Sequence, residues 1–276
     1  MVYLYSHPYA SKQMLERDLG LSLPTISQNL RDLESQGLIS QGGQLQSTGG
    51  RRPISYRFEP TSRLALGVKV GLKQTNICAI GLHGDIVDKR QFKGRYRNTD
   101  GYFTRLNAAI TSFVRDQEQG GSKVLGVAFA VHGLISSDGA SISFGKILNN
   151  TGLTLETISQ GLDLPSMIIH EADASAMAEL WFDPDTHDAV CIYLEDRPGG
   201  AIIVNGKLYQ GPNLCNGTIG HMRVVPGGEL CYCGQRGCMD CYCSPDYLLG
   251  PTNDPSHFFK SLRKGDQEET RRFDRC

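Results

Sequence analysis

The chain has 276 residues, 39% of them hydrophobic and 21% charged, with a formal net charge of −1. That composition belongs to a folded globular protein with a sizeable core, and the near-neutral total confines any nucleic-acid or membrane binding to a local patch. No stretch approaches the roughly 18 apolar residues of a membrane span, and the segment from Met1 to Gly20 lacks the apolar core of a signal peptide. The expectation is a cytoplasmic protein with no membrane partner and with its thiols reduced. Nine cysteines, an odd number, also argue against a fully paired disulfide framework.

Residues 1 to about 60 read as short helices followed by a turn-rich segment. Leu15 and Leu19 share one helix face; Gly20 breaks that helix, and Ser22 is placed to cap the next. In "LPTISQNLRDLESQGLI", Ile26, Leu30 and Leu33 recur at helical spacing, Pro24 fits the first turn, and Gly37 ends the helix. "LISQGGQLQSTGGRRPISYRF" then reads as a hairpin with Gly42-Gly43 at its tip.

Helix, tight turn, helix and hairpin, in that order, predict an N-terminal winged helix-turn-helix over residues 1–60. Its second helix would enter the major groove of double-stranded DNA. Thr25, Ser27, Gln28 and Arg31 are the polar positions left free by the apolar stripe, and all can bond bases or phosphates. Residues 1 to 60 hold six Lys/Arg against five Asp/Glu, but no acid lies between Glu34 and Glu59, where Arg51, Arg52 and Arg57 do. A Gly-Gly-Arg-Arg-Pro arm could lay Arg51 and Arg52 in a minor groove. The plainer alternatives are the polar face of any small helical bundle and a solvated linker with two spare arginines.

From Leu64 the pattern changes. "LALGVKVG", "TNICAIGL", "VLGVAFAV", "SMIIH" and "AVCIYL" are short apolar, β-branched runs, alternating with helical patterns such as residues 102–118 and 172–182. This predicts an α/β domain with a mixed sheet over residues 61–276, the boundary falling near Pro60-Thr61-Ser62.

"GHMRVVPGGELCYCGQRGCMDCYC" gathers one histidine and five cysteines between residues 220 and 243. His221, Cys231, Cys233 and Cys238 can surround one tetrahedral Zn²⁺, with glycines at 227, 228, 234 and 237 supplying the tight turns. Three thiolates and an imidazole leave no open position, so such a zinc is structural. Loose reduced thiols or a redox pair are the competing readings, and Cys241 and Cys243 are spare.

These residues carry a resemblance. "GHMRVVPGGELCYCGQRGCMD" closely resembles the signature of the ROK family of bacterial repressors, open reading frames and sugar kinases, in which Gly-His is followed by Cys-x-Cys-Gly-x-x-Gly-Cys-x-Glu. Only the closing acid differs, as Asp240. The likeness runs over roughly residues 8 to 250, and "STGGRRP" resembles the exit from the winged helix of ROK repressors. It implies an actin-like, ATPase-type (glucokinase-like) α/β fold with a sugar cleft between two lobes.

In ROK kinases an Asp-x-Gly-x-Thr motif on the first strand handles ATP phosphates and metal. Here "GVKVGLKQT" puts Lys69 at the aspartate and Lys73 at the threonine, and an ammonium repels Mg²⁺ where a carboxylate would hold it. "RPGGAIIVNGKLYQG" keeps Gly199 and Gly200 but has Ile202 where a glycine is usual. No catalytic residue is therefore assigned.

For sugar binding, the resemblance points to Asn149 or Asn150 in "ILNNTGL", to Glu171 in "HEADASAMAE" at the position of the catalytic Asp, and to Thr218 and His221 in "TIGH", with Thr218 replacing a Glu. His221 would give one nitrogen to zinc and the other to a sugar hydroxyl. Glu171 can also be read as a helix N-terminal acid favoured by the dipole, and the asparagines as turn residues. The final 17 residues, from Lys260, read as one amphipathic helix, and the chain ends before the segments expected to complete the second lobe.

The resemblance implies a transcriptional repressor of sugar-metabolism genes that binds operator DNA as a homo-oligomer, dimer or tetramer, and answers to a sugar or sugar-phosphate effector. An ATP-dependent sugar kinase is the alternative. A zinc-stabilised binding protein that senses nothing is the third reading.

Overall fold

The structure is a computed structural model and describes residues 1–44, 53–194, 197–211, 217–250 and 254–275. Three helices open the chain, α1 (Val2–Ser6), α2 (Lys12–Leu19) and α3 (Leu23–Ser35), followed by strands β1 (Ile39–Gln44) and β2 (Ile54–Phe58), which pair antiparallel. The Ser11 hydroxyl caps α2 and the Ser22 hydroxyl caps α3, accepting from the amides of Met14 and Thr25. Gly20 takes φ +64 between them, a left-handed conformation that ends α2 sharply.

Leu4, Ala10, Leu15, Ile26, Leu30, Ile39, Tyr56 and Phe58 form one buried cluster, with Leu33 packed against it. The apolar stripe of α3 expected from Ile26, Leu30 and Leu33 is thus the face that anchors it. The α2 pair divides: Leu15 is buried, whereas Leu19, the last helical residue, is 46% exposed because the chain turns away at Gly20.

The hairpin departs from expectation at Gly42-Gly43. These glycines lie within β1, not at the tip, and the register shifts between Gln41 and Gln44. A Cβ on Gly42 would sit 2.5 Å from the Ser55 hydroxyl, which itself donates to the Gly43 carbonyl at 2.7 Å. The glycines serve a bulge and a close strand approach. Arg51 and Arg52 lie outside the described residues.

The α/β region begins with β3 (Arg63–Val70), β4 (Thr75–Ile80) and β5 (Ile86–Phe92), then helix α4 (Asp100–Gln119) and β6 (Lys123–Val131). Short strands β7 (Leu134–Ile135) and β8 (Ile142–Phe144), a turn of helix α5 (Leu155–Ile158), strand β9 (Ser166–His170) and helix α6 (Glu171–Phe182) follow. Five strands make one sheet in the order β5-β4-β3-β6-β9. Leu64, Leu66, Val68 and Val70 alternate as the buried residues of β3, which puts Lys69 on its exposed side. Phe103, Leu106, Ile110 and Phe113 recur at helical spacing on α4 and are fully buried.

A second sheet holds β10 (Ala189–Leu194), β11 (Pro198–Val204) and β12 (Lys207–Leu208), with Ala201 and Ile203 of β11 packed on Ala176 of α6. After a 3-10 turn at Ile219–His221 come α7 (Asp240–Cys243), α8 (Pro245–Leu249), α9 (Pro255–Arg263) and α10 (Gln267–Arg275). The single C-terminal helix expected from Lys260 onward is two helices. Gly265, at φ +79, breaks the run, and the Asp266 carboxylate accepts from the amides of Glu268 and Glu269 to start the second.

By its internal contacts the chain divides into two compact units. One comprises Met1–Gly67, Ile77–Arg90 and Ala108–Val127, and the other Val68–Asn76, Gln91–Asn107 and Ala128–Cys276. Among the described residues no helix is long and apolar enough to cross a membrane.

Leu30 is the best test of the N-terminal cluster. Leu30→Ala is expected to destabilise the first unit by about 2–5 kcal/mol, the usual cost of emptying a buried leucine site. A urea titration followed by circular dichroism reads this as a lower midpoint; an unchanged midpoint would mean that α3 is not anchored there.

Candidate functional site

Residues 217–250 fold around a cluster of donor atoms. The 3-10 turn carries His221, and the following loop doubles back so that Arg223 bridges to Cys238 and Leu230 to Arg236. The Gly237 amide donates to the Glu229 carbonyl, while its own carbonyl accepts from Val224 and Val225. A side chain at Gly237 would collide with the Val225 carbonyl, and one at Gly228 with the Tyr242 hydroxyl, so this doubling-back requires glycine.

The result brings together all four residues expected to hold a metal. One ligand atom each from His221, Cys231, Cys233 and Cys238 lies within 4.8 Å of the others. The Cys233 and Cys238 sulfurs are 3.7 Å apart, and the Cys231 sulfur is 3.6 Å from Nδ1 of His221. A tetrahedral ion with metal–sulfur and metal–nitrogen bonds of about 2.3 and 2.05 Å separates its ligands by about 3.8 and 3.6 Å, so the donor set fits one such ion.

Burial pushes the Cys238 thiol up to about 12 and the Cys241 thiol up to about 11. At Cys233 burial also acts upward, but the Gln235 backbone amide and the neighbouring thiols outweigh it and the thiol is lowered. Burial lowers His221, favouring the neutral imidazole that a metal requires.

The other ring nitrogen, Nε2 of His221, lies 3.1 Å from the Tyr232 hydroxyl. With Nδ1 on a metal, Nε2–H would donate to that oxygen, as a partner behind the ligand commonly does. Tyr232 in turn lies under the Arg197 guanidinium, whose carbon is 5.5 Å from the ring centre. Arg197 donates to Asp240, buried to 2% exposure, at 2.6 Å and to the exposed Asp246 at 3.3 Å.

Arg197 also lines a cavity of about 680 Å³, a volume usual for small-molecule sites. Lys69, Gly71, Lys73, Gln74 and Asn76 line it, and His132, Glu171 and Asp246 add further polar groups. Glu171 opens α6 and accepts from Nδ1 of His132 at 2.9 Å. Burial acts to raise its carboxyl, but His132, with Lys69 nearby, outweighs this and holds it below the ordinary carboxylate range. Next to it, burial pushes His170 down to about 4; this ring caps α6, Nδ1 accepting from the Ala172 amide. Asp173, also in the first turn, is raised by burial to about 6.

The sugar-binding candidates do not all line this cavity. Glu171 lines the cavity, whereas Asn149, Asn150, Thr218 and His221 are not among its lining residues. Asn149 takes φ +47 in a turn, and its carbonyl accepts from Asn98. Asn150 is fully buried, donates to the His132 carbonyl at 3.3 Å and leaves its Oδ1 without a hydrogen-bond partner among the described residues. Thr218 precedes the 3-10 turn, its carbonyl accepting from the His221 amide.

Arg197, His132 and Tyr232 escaped the reading of the sequence. Tyr232 alone had a local signal, lying between two ligand cysteines. The other two are joined to the site only by the fold.

On the DNA-binding candidates, Thr25, Gln28 and Arg31 are exposed on α3 and Ser27 is half-buried. Arg31 donates to Gln28 and Gln28 to Asp32, a chain of hydrogen bonds along the helix.

Comparison with known proteins places these features in context. The sequence matches the ROK family over residues 65–269. It is 30% identical over 247 residues to the xylose repressor of Bacillus subtilis (strain 168), covering 87% of this chain and 63% of that protein's length. The fold is similar to a ROK family transcriptional regulator described as a homologue of the E. coli MLC protein, with TM-score 0.66 and 21% identity over 93% of this chain and 64% of that one. It is also similar to a ROK family glucokinase from Streptomyces griseus solved with glucose and AMPPNP, with TM-score 0.60 and 25% identity over 76% of this chain and 74% of that one. On the extent of its family match and the identity to the repressor, the chain belongs to the ROK family.

Proposed function

We propose that the chain is a DNA-binding transcriptional regulator, a repressor of sugar-metabolism genes. In this reading residues 1–60 are a winged helix-turn-helix head and residues 61–276 a sensor for a sugar or sugar derivative. It acts in the cytoplasm as a homo-oligomer, dimer or tetramer, on double-stranded operator DNA. A structural zinc on His221, Cys231, Cys233 and Cys238 holds the loop beside the sensor cavity.

The observation that carries the regulatory reading is helix α3. Its apolar face is anchored by Ile26 and Leu30, and Thr25, Gln28 and Arg31 stand exposed on the other. A recognition helix needs this division, with one face fixed and one face able to reach base edges. Likeness to the B. subtilis xylose repressor adds to it. Arg51 and Arg52 are proposed to extend the contact into a minor groove.

Zinc is supported by the donor set. Three sulfurs and one imidazole at tetrahedral separations suit a borderline-soft ion with no geometric preference of its own. When bound, such an ion cross-links four points of the loop and leaves no position for substrate or water.

A sugar kinase is the second reading, favoured by the likeness to the glucokinase and by Glu171, a carboxylate oriented by His132 in the cavity. Against it stand Lys69 and Lys73 on the cavity wall, which would repel the Mg²⁺ that accompanies ATP. Sugar turnover in a coupled ATP assay is expected to stay at background; turnover above background would reverse the order of the two readings.

In a mobility-shift assay with the protein's own upstream DNA, Arg31→Ala and Gln28→Ala are each expected to weaken binding by about 1–3 kcal/mol, the worth of a good base contact. Unaltered affinity in both variants would remove α3 as the reading helix. The Cys231→Ser/Cys233→Ser double variant is expected to lose one zinc per chain by elemental analysis and to melt at lower temperature. Wild-type protein purified without zinc and equally stable would sink the metal assignment.

A further inference from the structure

Three cations, Lys69, Lys73 and Arg197, line the cavity against two carboxylates, Glu171 and Asp246. The carboxylates are both engaged, Glu171 by His132 at 2.9 Å and Asp246 by Arg197 at 3.3 Å. Arg197 is further neutralised by the buried Asp240 at 2.6 Å, so its charge is met within the protein. Lys69 stands in the field of Glu171, so the positive charge that remains for a ligand is that of Lys73.

Their placement is set by the backbone. Alternation along β3 turns Lys69 to the side opposite the buried Val68 and Val70. The chain then reverses between β3 and β4, with the Gly71 amide donating to the Gln74 carbonyl at 3.0 Å. A Cβ on Gly71 would stand 2.8 Å from that same carbonyl oxygen, so the turn is built on glycine and carries Lys73 within it. Among the described residues Lys73 makes no ion pair, and its side chain is exposed.

The charged groups of the cavity therefore differ in what they offer. The ionised Glu171, in the field of Lys69, would accept from hydroxyl groups and repel an anion. Lys73 offers an ammonium in no ion pair among the described residues, a point charge of the kind that binds phosphate or carboxylate groups. Gln74 and Asn76 add amides that can bond hydroxyls, and Leu72 and Ile147 add apolar surface for a sugar ring.

We propose that the cavity takes an anionic sugar, one bearing a phosphate or carboxylate group. The anion is seated at Lys73, with Lys69 contributing, and the hydroxyls turn toward Glu171. This rests on the reading of the chain as a sugar-responsive regulator and narrows the effector it answers to.

The test is calorimetric titration of the full zinc-loaded chain with D-glucose, D-mannose and D-fructose, their 6-phosphates, D-glucuronate and inorganic phosphate, in low and high salt. At least one phosphorylated or acidic sugar is expected to bind about tenfold or more tightly than its neutral parent, with an affinity that falls as salt rises. Lys73→Gln is expected to remove about tenfold of that affinity, and Lys69→Gln less, with the melting temperature of the unliganded protein unchanged in both.

A neutral sugar binding as tightly as its phosphate, or an undiminished affinity in Lys73→Gln, would overturn the anionic site and leave the sugar-responsive reading standing. Inorganic phosphate binding as tightly as every sugar phosphate would overturn the sugar part of the proposal. No binding by any probe would count against both.

Discussion

The loop from His221 to Cys243 has little apolar surface with which to hold itself together. Val224, Val225 and Leu230 are exposed, and what it buries is Cys231, Cys238, Asp240 and Tyr242. A segment of this kind cannot offset its conformational entropy by hydrophobic burial, which is why four converging donor atoms matter so much here. A metal bound to all four would close the loop at points up to 17 positions apart in sequence, from 221 to 238. Everything that depends on the loop's shape then depends on that cross-link.

One consequence lies at Arg197. Its guanidinium is fixed by Asp240, two residues after Cys238, and lies over Tyr232, between Cys231 and Cys233 of the cluster. Asp240 is almost fully buried, and a buried charge is tolerated only with a partner. The Arg197–Asp240 contact is therefore better understood as a fixed orientation than as a store of stability. The side chain so oriented is part of the cavity wall.

Much of this was legible in the sequence, for identifiable reasons. The His/Cys cluster announces itself because few residue types suit a metal and because the chain must turn tightly to bring their donor atoms together. The α3 stripe was legible because Ile26, Leu30 and Leu33 recur with the helical period, and the buried strands because β-branched residues run together. Strand β5 was missed because it is an edge: Asp88, Lys89 and Arg90 interrupt it, and Ile86 and Val87 are exposed, as charged edges guard against further pairing. Gly42-Gly43 looked like a turn because glycine pairs usually mark one, whereas here Gly42 makes room for Ser55. His132 and Arg197 carry no local signal. Their meaning comes from Glu171 and Asp240, which are 39 and 43 residues away along the chain.

The same geometry bears on how a sensor of the proposed kind would work. A ligand can shift a protein only as far as it distinguishes two states. Two charged groups of this cavity are shared: Arg197 belongs to the wall and pairs with Asp240 of the His221–Cys243 loop, and Glu171 belongs to the wall and is bound to His132 at the end of β6. A ligand that moved Arg197 would have to loosen it from Asp240, leaving that buried carboxylate without this partner beside the His/Cys cluster. By reciprocity, a loop pinned by its metal would favour the ligand that leaves Arg197 in place. The anion proposed at Lys73 would do this, since it would draw on positive charge that the protein has not already used. Coupling between cavity and loop then requires no long pathway, only one guanidinium that both must accommodate.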